Sequence, residues 1–322
     1  MNLFRRLFGQ GRNEEPQTRP HEAVVQESAP VLKVIDEDET DDHPAFSTEP
    51  LKTRPLPPPR PFESTSRRVR FGQATDTGQI RGTNQDASLA LLASPDMAGN
   101  PPPIGFFVVA DGMGGHHDGE LASAIAAQTL ARHVLEGVVI PHLEGRGHSS
   151  EQKTIAEVLT DGMQAANRAV QDRVPNGGTT ATCVVVRGDL AYIAHVGDSR
   201  AYLVSDGSME LVTRDHSLVR RLQELGQLTT REAEVHPQRN VLYRAIGQSE
   251  ALEVDTATRR LPPSSRLLLC SDGLWGVIGD ESIARILDDC PDPQEACDRL
   301  VTEANANGGP DNITAILVQM PD

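Results

Sequence analysis

Five aspartates in this 322-residue chain stand where a short apolar segment meets a turn: Asp86, Asp111, Asp198, Asp272 and Asp311. A single aspartate before a glycine is ordinary turn chemistry. The ends of neighbouring strands converge in space, however, so five such positions predict a cluster of carboxylates. Converging carboxylates repel one another and raise each other's pKa unless cations hold them together. Hard oxygen ligands in this number suit Mg²⁺ or Mn²⁺, and two such ions sharing a carboxylate form a hydrolytic device.

Short β-branched runs bounded by glycine and aspartate predict the strands that carry these aspartates. The runs are "GFFVVAD", "TATCVVVRGD", "LAYIAHVGDSRAYLVSDG", "SRLLLCSDG" and "ITAILVQM". Apolar residues at helical spacing predict helices over 121–135, 155–173, 281–287 and 294–305. Strands in adjacent groups, with the two long helices consecutive, favour an α+β fold with antiparallel sheets. We therefore predict a four-layer α-β-β-α sandwich, two antiparallel sheets flanked by helices, over residues 67–322.

The first 66 residues have a different composition. Ten of the 23 prolines precede residue 62, and the acidic run "DEDETDDH" occupies residues 36–43. Such a segment cannot bury enough apolar surface to offset its chain entropy, so residues 1–66 are predicted to form a disordered arm. Within residues 1–12, Leu3, Phe4, Leu7 and Phe8 recur at helical spacing. That spacing leaves open a weak membrane or partner contact, beside a frayed terminus.

Charge and cysteine content limit the function classes. A formal charge of −16 disfavours binding to nucleic acid, whose phosphates such a surface repels. No window approaches the ~18 apolar residues that a membrane span needs. The four cysteines contain no CxxC pair and no secretory leader precedes them, so we expect reduced thiols in a cytoplasmic protein.

Seven motifs occur in the order found in one enzyme family. They are "TDTGQIRGTNQDA", "VVADGMGGHHDGELAS", "GGTTATCVVV", "AHVGDSRAYLV", "RDHS", "LLLCSDGLWG" and "GGPDNITAILV". With them the chain resembles the metal-dependent, type-2C protein serine/threonine phosphatases, and most of all their compact bacterial members, over about residues 70–320. The resemblance implies hydrolysis of phosphoserine and phosphothreonine on proteins, by a water activated between two Mn²⁺ or Mg²⁺ ions. It also implies a monomer that opposes a bacterial serine/threonine kinase and acts on the targets of that kinase.

The resemblance assigns roles to individual residues. Asp111 would bridge both metals, and the Gly112 carbonyl would bind one of them, which explains a glycine run that brings bare backbone close to an ion. The second metal's shell would be completed by Asp272 and Asp311. Asp86 would hold metal-bound water.

Three further features follow from the same resemblance. Arg81 would grip the substrate phosphate through its guanidinium fork. Asp198, together with Asp272, would form a weaker third metal site. Residues 216–246 would be the flap beside the active site, the part in which such proteins differ most. Two other functions stay open: a dedicated regulatory phosphatase of the sigma-factor antagonist type, and a catalytically silent phosphopeptide-binding module.

One position departs from the eukaryotic pattern, in which a histidine two residues after the bridging aspartate is thought to protonate the leaving group. Here that residue is Met113, so a metal-bound water is the preferred proton donor. The pair at 116–117, "HH", suggests zinc, but ligands so crowded rarely reach one ion, and we interpret both as turn or helix-start residues. His195 is predicted to pack in the core. His216 and His236 flank the flap, where a substrate-facing role is the alternative.

Overall fold

The computed structural model describes residues 68–95, 101–115, 117–145 and 153–322. The predicted arm, residues 1–66, lies outside the described residues. The strands are β1 (Arg70–Asp76), β2 (Asp86–Ala93), β3 (Ile104–Met113), β4 (Gly178–Thr179), β5 (Ala181–Arg187), β6 (Leu190–Val196), β7 (Arg200–Ser205), β8 (Ser208–Leu211), β9 (Asp255–Arg260), β10 (Arg266–Cys270) and β11 (Ile313–Gln319). The helices are α1 (Asp118–Val134), α2 (Ile140–Leu143), α3 (Ile155–Arg173), α4 (Leu218–Glu224), α5 (Thr230–Glu234), α6 (Asp272–Asp289) and α7 (Pro293–Ala306), and a π-helical turn joins α1 to α2 (Leu135–Val139).

The strands form two antiparallel sheets. One has the order β1-β11-β10-β7-β8, and the other has the order β2-β3-β5-β6-β9 with β4 paired to β3. Helices α1 and α3 pack on the second sheet, while α6 and α7 pack on the first. The predicted sandwich of two antiparallel sheets flanked by helices is therefore confirmed.

Strand β3 shows how the sequence produces these layers. Its side chains alternate between the two faces of the sheet, as they must in any strand. Phe106 and Val108 pack among the residues of α1 and α3, whereas Phe107 and Val109 pack between the sheets. All four are essentially inaccessible to water. Burying each such side chain contributes about 1.5–3 kcal/mol, so both faces of β3 are fixed strongly.

Local signals in the sequence define the helix ends. Helix α3 begins with a capping box, in which the Thr154 side chain accepts from the Glu157 amide and the Glu157 carboxylate accepts from the Thr154 amide. Helix α7 begins with Asp292 as N-cap and proline at the first position. Helix α6 differs from the sequence expectation: it begins nine residues earlier than its amphipathic stretch and bends at Gly279, whose φ of 71° interrupts the helix.

Two of the broader expectations have counterparts in the structure. All four cysteines are free and buried, in keeping with reduced thiols. None of the helices in the described ranges is long and apolar enough to cross a bilayer. The flap, residues 216–246, contains the two short helices α4 and α5 between its ends.

Candidate active site

Asp86 and Asp111 lie directly opposite each other in the ladder that joins β2 to β3. Opposed residues of this kind have Cβ atoms about 4.5–5.5 Å apart, so the two carboxylates are neighbours. One oxygen of Asp86, Oδ2, accepts hydrogen bonds from Ser271 Oγ at 2.7 Å and Thr314 Oγ1 at 2.6 Å. Its other oxygen, Oδ1, is buried without a hydrogen-bond partner. Half of this carboxylate is thus held by hydroxyls, and half is available to another ligand.

The backbone of Asp111 is fixed by two threonines of the "GGTT" motif. Thr180 donates its amide to the Asp111 carbonyl at 2.8 Å and accepts the Asp111 amide on Oγ1 at 2.9 Å. Thr179 Oγ1 donates to the same carbonyl at 2.8 Å. Removal from water, and then repulsion by Asp86 and other aspartates, raises the pKa of Asp111 well above its ordinary value. The main chain is therefore held in place while the carboxyl group faces like charges.

Asp272 is the first residue of α6 rather than a turn residue, which corrects the sequence interpretation of this position. A helix N-terminus favours a negative charge at this place. Its Oδ1 atom is buried without a partner. Loss of hydration, followed by repulsion from Asp311, raises the pKa of Asp272 to about 6, while a hydrogen bond with the Asp111 side chain opposes the rise.

Asp198 lies in the turn between β6 and β7. Two residues near it, Trp275 and Arg200, were assigned no role from the sequence. Trp275 Nε1 donates to the Asp198 carbonyl at 3.0 Å, and the Arg200 guanidinium carbon lies 3.4 Å from the centre of the Trp275 ring. Arg200 in turn forms a largely buried ion pair with Asp215 at 2.7 Å. Loss of hydration and then repulsion by Asp272 raise the pKa of Asp198 well above its ordinary value. Arg200 and Trp275 lie within the quoted motifs "AHVGDSRAYLV" and "LLLCSDGLWG", which was the available signal.

Arg81 and Asp311 meet at the edge of the cluster. Arg81 Nη2 donates to Asp311 Oδ2 at 2.7 Å, and about half of the arginine side chain remains exposed. The loop that carries Arg81 is clamped by Asn312, another residue that the sequence reasoning missed. Its Nδ2 donates to the Thr77 and Thr83 carbonyls at 2.9 and 3.0 Å, and its Oδ1 accepts the Gln85 amide at 2.8 Å. Asn312 thereby restrains the loop that places Arg81 against Asp311.

Gly112 is glycine for a steric reason. A Cβ atom built at this position would lie 2.1 Å from the Gly119 carbonyl oxygen and 2.6 Å from that of Gln85. Real Cβ atoms do not approach backbone this closely, so the start of α1 packs against bare backbone. The expected metal-binding role of the Gly112 carbonyl stays a prediction beside this packing role.

The structure also locates Met113 and the histidines that the sequence analysis singled out. Met113 ends β3, and its sulfur accepts from Gln248 Nε2 at 3.3 Å. His117 is an exposed N-cap residue of α1, as expected for a helix start, and His116 lies outside the described residues. His195 is buried, as predicted; loss of hydration and then the neighbouring His216 lower its pKa to about 4. His236 is partly exposed and accepts from an amide within the flap.

His216 is buried rather than substrate-facing, which rules out the alternative role raised for it. Its Nδ1 atom accepts the Gly197 amide at 3.1 Å, and its Nε2 atom lies 3.2 Å from Asp255 Oδ2. The residue therefore anchors the first end of the flap to the turn that carries Asp198.

The five aspartates together fit divalent cations. Within the described part of the chain, no three histidine, cysteine, aspartate or glutamate side chains form a compact metal-binding group by themselves. The aspartates instead interact through their charges, and two present buried oxygens without partners. All but Asp198 retain some exposure to solvent, so the cluster lies at an opening that an ion can enter. Desolvated, mutually repelling carboxylates with free lone pairs are the donor set that Mn²⁺ and Mg²⁺ require.

Comparison with known proteins matches this architecture. Residues 74–313 match the family model described as "Protein phosphatase 2C". The serine/threonine phosphatase stp of Listeria innocua is 37% identical over 246 residues, which cover 76% of this chain and 93% of that protein. A solved serine/threonine phosphatase from S. agalactiae has a TM-score of 0.66 and 32% identity, covering 79% of this chain and all of that one.

A second solved structure bears on the metal. The catalytic domain of the serine/threonine protein phosphatase PstP, in complex with two manganese ions, has a TM-score of 0.63 and 30% identity. It covers 79% of this chain and 99% of its own. From its matched family model and its similarity to these proteins, the chain belongs to the protein phosphatase 2C family, as an enzyme of the serine/threonine phosphatase type that its bacterial relatives represent.

Proposed function

We propose that this enzyme hydrolyses phosphoserine and phosphothreonine on proteins by using two Mn²⁺ or Mg²⁺ ions held by the aspartate cluster. The observation that carries the proposal is the opposed pair Asp86 and Asp111, both of which are repelled by the charge of Asp272. When bound, such ions lower the pKa of water towards neutrality and neutralise charge that develops on the phosphoryl group.

Within this site each aspartate has a distinct task. Asp111 would hold both ions, because it is paired opposite Asp86 and its carboxylate also feels the charge of Asp272. Asp272 and Asp311 would help to hold one of these ions, and Asp198 with Asp272 would hold a weaker third one. Asp86 keeps one oxygen on Ser271 and Thr314, so its free oxygen is oriented to hold water in the site.

Arg81 binds the substrate phosphate. Its guanidinium carries five N–H donors, and the ion pair with Asp311 engages only one face of that fork. The half-exposed remainder can bind two phosphate oxygens without leaving Asp311. Asn312 restrains the loop around it, so little additional ordering is needed when substrate arrives.

Proton delivery to the departing seryl or threonyl oxygen comes from water. Met113 stands where a histidine donor would be expected, and a thioether has no proton to give. Since no covalent phosphoenzyme is required, neither a nucleophilic cysteine nor a serine is assigned, and the four cysteines stay buried.

The protein is further proposed to act as a monomer on phosphoproteins made by a serine/threonine kinase. Its relatives' names support phosphoprotein substrates of this type. All five aspartates and Arg81 are present, and Arg81 is paired with Asp311, which favours catalysis over a silent binding module.

Phosphate release from a phosphothreonine peptide, measured with and without added Mn²⁺, tests the proposal. We expect turnover with Mn²⁺ or Mg²⁺, near-complete loss after chelation, and recovery when metal is restored. Metal content measured after chelation is the control for residual ions. Full turnover with metal content near zero would exclude the metal mechanism, and binding of the peptide without turnover in saturating Mn²⁺ would favour the silent module.

A further inference from the structure

A cavity of about 430 Å³ is lined by residues of the flap and by Arg214, which lies two residues before the flap. Among the residues that the structure describes, three arginines and one tyrosine line it: Arg214, Arg221, Arg244 and Tyr243. We call it the flap cavity. Three guanidinium groups around one opening are unusual in a chain whose formal charge is −16. The flap itself carries five arginines against three acidic residues, so positive charge is concentrated here.

The positive charge at the flap cavity is only partly neutralised. Glu224 accepts from Arg214 through two hydrogen bonds, and Arg221 and Arg220 also lie 3.5 and 3.7 Å from its carboxylate. One carboxylate therefore serves three guanidinium groups. The side chains of Arg214 and Arg221 are 48% and 54% exposed, so donors on both remain accessible to a ligand.

Arg244 has a different position, at the base of the flap. Its guanidinium pairs with Asp255 at 2.8 Å and Glu253 at 2.5 Å, and only 20% of the side chain is exposed. It also lies 5.8 Å from the centre of the Tyr243 ring, which is itself half exposed. Arg244 thus has a structural role at the base of the cavity, because it is mostly buried and already paired. Tyr243 offers an apolar surface against which a peptide can pack.

Both ends of the flap are joined to backbone that holds the aspartates. At the first end, the His216 amide donates to the Gly197 carbonyl at 2.7 Å, one residue before Asp198. At the second end, Ile246 exchanges backbone hydrogen bonds of 2.8 and 3.0 Å with Thr179, which donates to the Asp111 carbonyl. The two ends also pair with each other, since Tyr243 donates to the His216 carbonyl at 3.0 Å. The flap that lines the cavity is therefore hydrogen-bonded at both ends to backbone next to Asp198 and Asp111.

We propose that the flap cavity is a second anion-binding subsite, which selects phosphoprotein segments that carry an additional carboxylate or phosphate near the phosphoresidue being hydrolysed. Arg214 and Arg221 bind that anionic side chain, and the Tyr243 ring supports the intervening peptide. This inference rests on the proposed phosphatase function and names the class of substrate: acidic or multiply phosphorylated segments. Glu224 acts as the resident competitor that an incoming anion displaces from the two arginines.

The experiment compares three phosphothreonine peptides that differ only beside the phosphoresidue. One carries glutamine there, one glutamate, and one a non-hydrolysable phosphonate residue, with each tested on both sides of the phosphothreonine. We expect kcat/KM to be about fivefold higher for glutamate than for glutamine, through KM, and higher again for the phosphonate, because its charge is larger. The preference should shrink as salt is raised, since the two arginines are half exposed.

Two variants and one control locate the effect. The double variant Arg214→Gln/Arg221→Gln should abolish the preference, whereas Arg231→Gln, an exposed flap arginine that does not line the cavity, should retain it. Glu224→Gln should increase the preference, because the competing carboxylate is gone. Turnover of p-nitrophenyl phosphate, which has no flanking residues, should be the same in every variant.

The outcomes separate this inference from the proposed function. A wild-type enzyme that hydrolyses all peptides equally, or a double variant that keeps the acidic preference, would refute the subsite alone. Absence of all turnover with Mn²⁺ would refute the phosphatase function. In that case calorimetric binding of the phosphonate peptide still tests the subsite, and equal affinity of wild type and double variant would overturn it.

Discussion

The aspartate cluster and the flap cavity treat charge in opposite ways. In the cluster, the two sheets and the start of α6 bury several negatively charged carboxylates. Loss of hydration is the main reason that the pKa of Asp86 rises to about 7. At the flap cavity, arginines stay half exposed and share one carboxylate. The first arrangement creates repulsion that protonation or bound cations relieve, and the second leaves attraction for an incoming anion.

The comparison also separates chemistry from selection. The cluster is positioned by ladders of strands and by hydroxyls from distant parts of the chain, so its geometry is rigid. The flap depends on two short helices and a few backbone hydrogen bonds at its ends. Changes in the cluster should therefore alter kcat, whereas changes in the flap should alter KM and substrate preference.

The strongest test of the cluster is Asp111→Asn, which preserves shape and removes the charge placed between neighbouring carboxylates. We expect kcat on a phosphothreonine peptide to fall by at least ~10²-fold at saturating Mn²⁺, the scale of losing one catalytic electrostatic partner. Asp172→Asn, at an exposed position near the end of α3, is the matched control and should be neutral. Near wild-type turnover in Asp111→Asn, with two metals bound by calorimetry, would show that Asp111 is a turn residue only.

Metal-free stability gives a second, smaller effect with a defined sign. The folded-state pKa values of Asp86 and Asp272 are raised to about 7 and about 6, so their stabilising contribution is full below pH ~4 and is lost as pH rises through those values. Removing one like charge by Asp111→Asn should relieve this. We expect the metal-free variant to melt on the order of 5 °C above wild type at pH 8, and the gain to shrink by pH 5.

The difference between variant and wild type is the quantity to measure, because buried His195 has the opposite pH dependence. Its lowered pKa destabilises the fold as pH falls below its ordinary range, in both proteins alike. Thermal melts of both proteins in chelator, at pH 5 and pH 8, provide the comparison. Saturating Mn²⁺ should reverse the order at pH 8, since it binds the folded wild type more tightly. A gain that is independent of pH would contradict carboxylate repulsion as its cause.

The smallest expected effect comes from outside both regions. Chemistry and peptide selection are assigned to residues 67–322, so deletion of residues 1–66 should leave the melting temperature nearly unchanged and kcat on a short peptide within about twofold of that of the full chain. Turnover of the glutamine and glutamate peptides should also keep its ratio. A truncated protein that fails to fold, or that loses most of its kcat, would show that the first 66 residues belong to the catalytic unit.

Much of the fold was predictable because its signals are local. The continuous apolar run "FFVVA" predicts a strand that is buried on both faces, and helical spacing predicts α3 with its correct bounds. The start of α6 was not predictable from spacing, because its first turns carry two glycines and lack an amphipathic repeat. Asp272, which was expected in a turn, is therefore the first residue of a helix.

The site was predictable in its residue types and less so in its contacts. Strand-end aspartates identified the cluster, but the partners of Asp86 come from Ser271 and Thr314, 185 and 228 positions away. Such long-range pairing depends on which strands adjoin, and periodicity carries no information about that. The buried state of His216 was missed for the same reason, since it depends on how the flap closes over β6.

The opposition of Asp86 and Asp111 makes the site sensitive to chain length as well as to residue identity. Side chains alternate between the faces of a sheet with a period of two, so loss or gain of one residue within β2 turns its carboxylate to the other face. We expect substitutions at such a site to lower its activity by degrees, whereas a single-residue insertion in either strand should abolish it. We therefore expect this enzyme to tolerate changes in length in the connections between strands, where they can alter selectivity while the spacing of the carboxylates is kept.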